Sequence, residues 1–310
     1  MANYKAISAG NWSTLAIWQD DSGGSYSASS VLPGVADIVY ANNFIVQVNQ
    51  TVSVKSLRIE SATNVTVGGR FEISTDVNVT TVDGIFGQNT TNGSGVYNPL
   101  NSCLLVKSAC TTIITSDIYG GGATYRIGFG CNAAANVTII GNLIGGTTTY
   151  CVGAIFTNGS SISITGNIEP GLGGALNYGL YSSSSCNLTI IGNINGSVSA
   201  VYYGVYLNGG NTLYHTGQIN GNAGIGLYNQ AASVIYINGI VTSSTQANAV
   251  HSANTTPVHF TGNAYNSSAG YNALHCRILF YNVTSTTTIL TRLENCATLE
   301  GVAAIIKAMK

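Results

Sequence analysis

One seven-residue phrase recurs through the second half of the chain and constrains the fold more than any other feature. It reads Val137-Thr-Ile-Ile-Gly-Asn-Leu143, Ile162-Ser-Ile-Thr-Gly-Asn-Ile168 and Leu188-Thr-Ile-Ile-Gly-Asn-Ile194. Looser copies are Leu213-Tyr-His-Thr-Gly-Gln-Ile219, Val234-Ile-Tyr-Ile-Asn-Gly-Ile240 and Val258-His-Phe-Thr-Gly-Asn-Ala264, with an earlier one at Thr112-Ile-Ile-Thr-Ser-Asp-Ile118. With the fifth position as anchor, the copies fall at 116, 141, 166, 192, 217, 238 and 262, spaced by 25, 25, 26, 25, 21 and 24 residues. A fixed period of this size marks a solenoid or a related repeat architecture.

A second phrase keeps the same beat: a small residue, an aliphatic, then an aromatic. It reads Ala154-Ile155-Phe156, Gly179-Leu180-Tyr181, Gly204-Val205-Tyr206 and Gly226-Leu227-Tyr228, then Ala249-Val250-His251 and Ala273-Leu274-His275. Within the phrases apolar residues alternate with polar ones, the period of a strand rather than a helix. Helix-pair repeats lack this alternation, and the Leu-x-x-Leu-x-Leu phrase of leucine-rich repeats is absent. The expectation is an all-β, right-handed parallel β-helix, each turn about 4.8 Å from the last. Shorter alternating runs at Phe44 to Val48, Val52 to Val54, Leu57 to Ile59, Val65 to Val67, Phe71 to Ile73 and Val77 to Val79 read as less regular initial turns.

The residues that follow the anchor are Asp117, Asn142, Asn167, Asn193, Gln218, Gly239 and Asn263. Stacked in register, their side chains form a ladder, each donating to its neighbour's carbonyl, and Asn tolerates the left-handed backbone of a tight turn. Turn length and the Asn ladder together resemble the pectate-lyase-like right-handed β-helix superfamily, which includes many bacteriophage tailspikes. The resemblance spans roughly residues 40 to 276.

Three segments follow: a cap or lead-in over 1–40, the β-helix over 41–276, and a C-terminal cap or oligomerisation segment over 277–310. Gly10 to Trp18, with Leu32-Pro33-Gly34 and Asp37 after it, looks like the lead-in to β-helices of phage virion proteins and bacterial surface proteins. Trp12 and Trp18, the only tryptophans, are expected to plug the open end, because terminal repeats need capping. Leu299 to Met309 has the spacing of a short amphipathic helix.

Composition narrows the function. Only 7% of residues are charged, the net charge is −1, and 45% are hydrophobic with 18 Tyr. The chain therefore folds, and it carries no electrostatic attraction for nucleic acid or an anionic membrane. No stretch approaches the roughly 20 apolar residues of a membrane helix, and no apolar run follows Met1 to Lys5, so synthesis in the cytoplasm without a signal peptide is expected. Seven cysteines, Cys103, Cys110, Cys131, Cys151, Cys186, Cys276 and Cys296, show neither a disulfide framework nor a zinc spacing and read as buried thiols.

Catalysis is not expected. Glycan hydrolases need paired carboxylates, and lyases of the resembled superfamily use carboxylates to hold calcium and a base to take the proton. Between Ile127 and Cys276 the only charged residue is Glu169; Asp117, two turns away, is at least about 10 Å from it by turn spacing. No cofactor or metal is expected. His251 and His275 share one column without a third ligand, and His215 stands at the inward position of Ile190 and Ile164, where an imidazole is a hydrogen-bonded core residue.

If Leu180, Val205 and Leu227 point inward, then Phe156, Tyr181, Tyr206, Tyr228, His251 and His275 form an outward stripe, fit for a subunit contact or a sugar. A neighbouring outward column, Thr138, Ser163, Thr189, Tyr214, Ile235 and His259, is not the Thr array of an ice-binding surface. The expected function is that of a structural virion protein, a phage tail fibre or spike found on the extracellular particle. It would be a homo-oligomer, with a trimer favoured, and would contact other virion proteins or a host-surface glycan. The alternatives are a polysaccharide-depolymerising tailspike and a bacterial surface adhesin or fibre-forming solenoid.

Overall fold

The computed structural model describes residues 1–42, 44–59, 69–87, 98–122, 126–148, 150–171, 177–198, 203–244, 249–254, 256–261, 263–266, 274–275 and 278–280. The chain winds into a parallel β-solenoid of about seven turns, and no α-helix occurs among the described residues. Val65 to Val67, Cys276, Cys296 and the helix expected over Leu299 to Met309 lie outside the described residues.

A typical turn has three strands. The first is the alternating phrase, as in Asn136–Ile140, Ser161–Thr165 and Asn187–Ile191. A two-residue strand follows the Gly-Asn pair, as in Leu143–Ile144, Ile168–Glu169 and Ile194–Asn195. The third holds the small-aliphatic-aromatic phrase, as in Val152–Thr157, Tyr178–Ser182 and Tyr203–Leu207. Each strand pairs in parallel with its counterpart one turn away. Alternation then sends Val137, Ile139, Leu143, Ala154 and Phe156 into one continuous core running along the axis.

Glycine is required at two places in the turn. Gly141, Gly166, Gly192, Gly217 and Gly239 stack at the bend between first and second strands, with φ between 136° and 159°. An added Cβ there would lie 1.8–2.3 Å from the carbonyl oxygen of the previous turn, so neither the torsion nor the space admits a side chain. This column fixes the register of the sixth copy. Gly239, not Asn238, pairs with Gly217, so the spacing is 22 and Ile240, not Gly239, follows the anchor.

The second glycine column is Gly128, Gly153, Gly179, Gly204 and Gly226, where the third strand passes close to the second. A Cβ on Gly153 would sit 2.6 Å from the Glu169 carbonyl oxygen, and one on Gly179 2.3 Å from that of Asn195. Because Gly153 is the residue aligned with Gly179, Ile155 pairs with Tyr181 and Phe156 with Ser182. The expectation that Phe156 points outward is therefore wrong: it is fully buried in the main core, 6.2 Å from the Phe129 ring.

Parallel pairing begins near the N-terminus. Asn3–Ala6 pairs with Ile38–Tyr40, and Gly10–Asn11 with Ile45–Val48. An antiparallel strand, Trp18–Asp20, closes the edge against Asn3–Ala6. Trp12 and Trp18 are buried edge-to-face at 5.1 Å, and the Trp18 indole donates to the Trp12 carbonyl at 2.9 Å. The two indoles fill the core at this end of the solenoid.

Candidate functional site

The residues after the glycine anchor make a ladder, with a different donor from the one expected. The main-chain N–H of Asn142 donates to Asp117 Oδ1 at 2.7 Å. Those of Asn167, Asn193 and Gln218 donate to the side-chain oxygen one turn back, at 2.9, 2.9 and 3.0 Å. Asn142 also donates through its side chain, to Asp117 Oδ1 at 3.0 Å. A parallel ladder offset by one turn leaves the amide N–H at the bend without a strand partner, and the Asn carbonyl meets that need. Ile240 interrupts the column, and Asn263 pairs with Ile240 through the backbone. The ladder is structural and at most half-buried; Asn193 is exposed.

The carboxylates that chemistry would need are held in similar bonds. Asp117 serves the ladder. Glu169 Oε1 accepts from the Asn195 side chain at 3.4 Å. Glu72 is buried on the outer face of an early turn, bonded by Arg70 Nε at 2.7 Å and approached by Lys107 Nζ at 3.4 Å. Among the described residues no group of three His, Cys, Asp or Glu side chains is placed to hold a metal. Cys103, Cys110, Cys131, Cys151 and Cys186 are buried free thiols; burial pushes the Cys103 thiol up to about 12 and that of Cys131 to about 11.

The outward column of the third-strand sheet runs Ile155, Tyr181, Tyr206, Tyr228 and His251, and His275 continues it through the backbone pairing. Tyr178 and Tyr203, from the column beside it, interleave with these rings. Tyr178–Tyr206 centroids are 5.5 Å apart, Tyr181–Tyr206 5.3 Å, Tyr203–Tyr228 4.8 Å and Tyr228–His251 4.9 Å, all near parallel. Burial, then the neighbouring Tyr181, Tyr203 and Tyr228 phenols, hold the Tyr206 hydroxyl up at about 12; it donates to Gln230 Oε1. Stacked this way, the rings cover each other's faces and show edges and hydroxyls to the outside. A sugar needs an open ring face, so this stripe is poorly suited to hold one.

A second stack lies on the first-strand sheet. Register pairs Thr189 with Tyr214 and Tyr214 with Tyr236, so Tyr236 occupies the outward position expected of Ile235, which is fully buried. His259 follows Tyr236. The Tyr214 and Tyr236 rings stack at 4.8 Å and 4°, and Tyr236 stacks on His259 at 4.4 Å. On its other side Tyr214 has only Thr189 in register, too short to cover a ring, and Tyr214 is 49% exposed. No ring stacks on Tyr214 from that side among the described residues.

Beside this stack, two residues along each strand, stand Thr216, Asn238 and Thr261. Ring edges form one wall and these hydroxyls and amide the other, with the strands at His215 and Ile237 as floor, around a depression of about 140 Å³. Thr261 Oγ1 donates to Asn238 Oδ1 at 3.2 Å, and the Asn238 amide nitrogen is a donor for an acceptor in the groove. Burial lowers the His259 pKa, which favours a neutral ring. His215, beneath the floor, is inward as expected, but only half hydrogen-bonded. Its Nε2 lies 2.9 Å from the Gly192 carbonyl oxygen while Nδ1 has no partner among the described residues, and burial pulls its pKa down to about 4.

No family model, curated protein or solved structure matches the chain. The groove stands on its own geometry. Sequence reasoning missed Tyr236 because the sixth copy was aligned on Asn238; aligning the copies on glycine alone places Tyr236 beside Tyr214.

Proposed function

We propose that this chain is a structural protein of a virion appendage, of tail-fibre or spike type, that attaches by holding an uncharged host-surface glycan without cleaving it. The observation that carries the reading is Tyr214, half exposed at the Thr189 end of a ring stack whose edges wall one side of a groove, with Thr216, Asn238 and Thr261 on the other side. A pyranose packs its C–H face on a ring, and hydroxyls and amides meet its hydroxyls. The first strands from Thr111–Thr115 through Val258–Phe260 carry no charged side chain, so a neutral sugar meets no unpaired charge along them. No carboxylate lines the groove, and Asp117, Glu169 and Glu72 are engaged in bonds of the solenoid itself. The virion part of the reading is supported by the resemblance of the turns and of the Trp12–Trp18 lead-in to phage β-helices.

The test is incubation of the purified chain with a panel of neutral bacterial surface polysaccharides. Retention of at least one of them on immobilised protein, with no new reducing ends or unsaturated products, is the expected result. Product release, or no retention across the panel, overturns the reading.

A further inference from the structure

Five asparagine–glycine pairs lie among the described residues, beginning at Asn158, Asn195, Asn208, Asn220 and Asn238. Such a pair can react with itself, because glycine has no side chain to hinder its main-chain nitrogen from reaching the asparagine Cγ. The solenoid holds the five differently. Gly196 and Gly221 are buried, and their N–H groups donate to the Asn220 and Thr242 carbonyls at 2.6 and 2.8 Å. Gly239 lies inside a strand, paired with Gly217. Asn158 stands at φ 61°, and its Nδ2 donates to Asn132 Oδ1 at 2.8 Å and to the Asn132 carbonyl at 3.2 Å, so its backbone and its amide are both fixed. Asn208 differs from all of these. It is exposed, at the corner that follows Tyr203–Leu207. Its main-chain N–H donates to the Ser182 carbonyl at 2.7 Å, and the Gly209 carbonyl accepts from Asn211 N, Asn211 Nδ2 and Ser233 Oγ at 2.7, 2.9 and 2.6 Å. Between these anchors, the Gly209 N–H and the Asn208 side chain have no partner among the described residues.

We propose that Asn208 is a self-modification site, converted by Gly209 and water to aspartate and isoaspartate. The Gly209 nitrogen attacks Asn208 Cγ. The N–Cγ bond forms as the Cγ–Nδ2 bond breaks, and Nδ2 leaves as ammonia with the proton from Gly209. Water then opens the resulting imide. Opening at the side-chain carbonyl gives aspartate, and opening at the main-chain carbonyl gives isoaspartate. No other reactant is needed, and the exposure of Asn208 gives water access. The product changes both charge and backbone. Between Ile127 and Cys276 the only charged residue is Glu169, so a carboxylate at 208 is a second charge in that half of the solenoid. Isoaspartate also adds one carbon to the main chain, between the Asn208 bond to Ser182 and the three bonds that hold the Gly209 carbonyl, and so puts slack into this corner. This inference is independent of the glycan groove.

Ageing of the whole folded chain in neutral buffer tests it, read by peptide mass spectrometry and by enzymatic methyl labelling of isoaspartate. Asn208 is expected to convert first, several-fold faster than Asn195 and Asn220. Ammonia should be released, at a rate that rises with pH because the attacking nitrogen must lose its proton. In guanidinium, where the ladder bonds of Gly196 and Gly221 are gone, the three should convert at comparable rates. Asn208→Gln, whose longer side chain disfavours ring closure, should remove the leading product and leave the β circular-dichroism spectrum unchanged. Conversion of Asn195 or Asn220 as fast as Asn208 in the folded chain, the same order of rates in guanidinium, or an Asn208 that stays intact in the folded chain while the unfolded chain converts would each overturn the proposal.

Discussion

Ile155 pairs with Tyr181 across one turn of the solenoid, and Phe156, the next residue, turns the other way into the core beside Phe129. One residue of register separates a ring on the outer stripe from a ring in the interior. Phe156→Ala should therefore cost about 3–5 kcal/mol, the loss of a buried aromatic with a cavity left behind. Ser182→Ala, at the paired position one turn on, should cost less. Denaturant unfolding of the two variants measures the difference, and a Phe156→Ala cost below about 1 kcal/mol would return Phe156 to the surface.

The close-approach glycines make a sharper test of the same register. A Cβ on Gly179 lies 2.3 Å from the Asn195 carbonyl oxygen, whereas one on Gly210 finds only the Ser185 hydroxyl at 3.4 Å. Gly179→Ala should destabilise by about 1–3 kcal/mol through forced backbone movement, and Gly210→Ala should be close to neutral. Equal thermal shifts would contradict the packing of second against third strand.

Amides in this solenoid differ in what they hold. Asn211 is buried; its Oδ1 accepts from Ser182 Oγ at 2.7 Å and Cys186 N at 3.1 Å, and its Nδ2 donates to the Gly209 carbonyl at 2.9 Å. Asn193 is exposed and accepts one bond, from Gln218 N. Asn211→Ala should cost about 2–3 kcal/mol because it strands buried partners, and Asn193→Ala about 0.5–1 kcal/mol. The reverse order in urea unfolding would show that the exposed ladder carries the stability.

His215 gives the fold a dependence on acid. Its folded pKa, near 4, is below the ordinary 6.5 because burial disfavours the charged ring. Above pH 6.5 the imidazole is neutral in both states and contributes no pH dependence. Between 6.5 and 4 the unfolded chain takes up the proton first, so stability falls as the pH falls, by roughly 3 kcal/mol in all. His215→Ile, which matches Ile190 and Ile237 on either side in register, should remove that part of the pH dependence. A pH profile of unfolding free energy unchanged by the substitution would contradict it.

The repeat made the fold legible because a parallel solenoid writes its period directly into the sequence, and the alternation at Val137 to Leu143 told inside from outside. Register was legible only where glycine is obligatory. Aligning Phe156 with Tyr181 by ring chemistry, and Asn238 with Gly217 by position in the phrase, put each one residue off, and in a strand one residue exchanges the faces. The ladder's positions were legible at Asn142, Asn167 and Asn193, but its donor was not, since main-chain N–H groups leave no mark in the sequence. The groove at Tyr214 was hidden for the same reason as Tyr236: it exists only when three turns are stacked correctly.

Equilibrium binding of a neutral oligosaccharide, taken from a polysaccharide that the unmodified chain retains, tests the central claim most directly when Tyr214→Ala and Tyr181→Ala are compared. Tyr214 ends its ring stack on the Thr189 side, so Tyr214→Ala should weaken binding about ten-fold or more, some 1.4 kcal/mol, with the β circular-dichroism spectrum preserved. Tyr181→Ala, in a stack whose faces are already covered, should leave the affinity unchanged. Undiminished binding by Tyr214→Ala, with loss in Tyr181→Ala, would contradict the account and move the sugar to the opposite sheet.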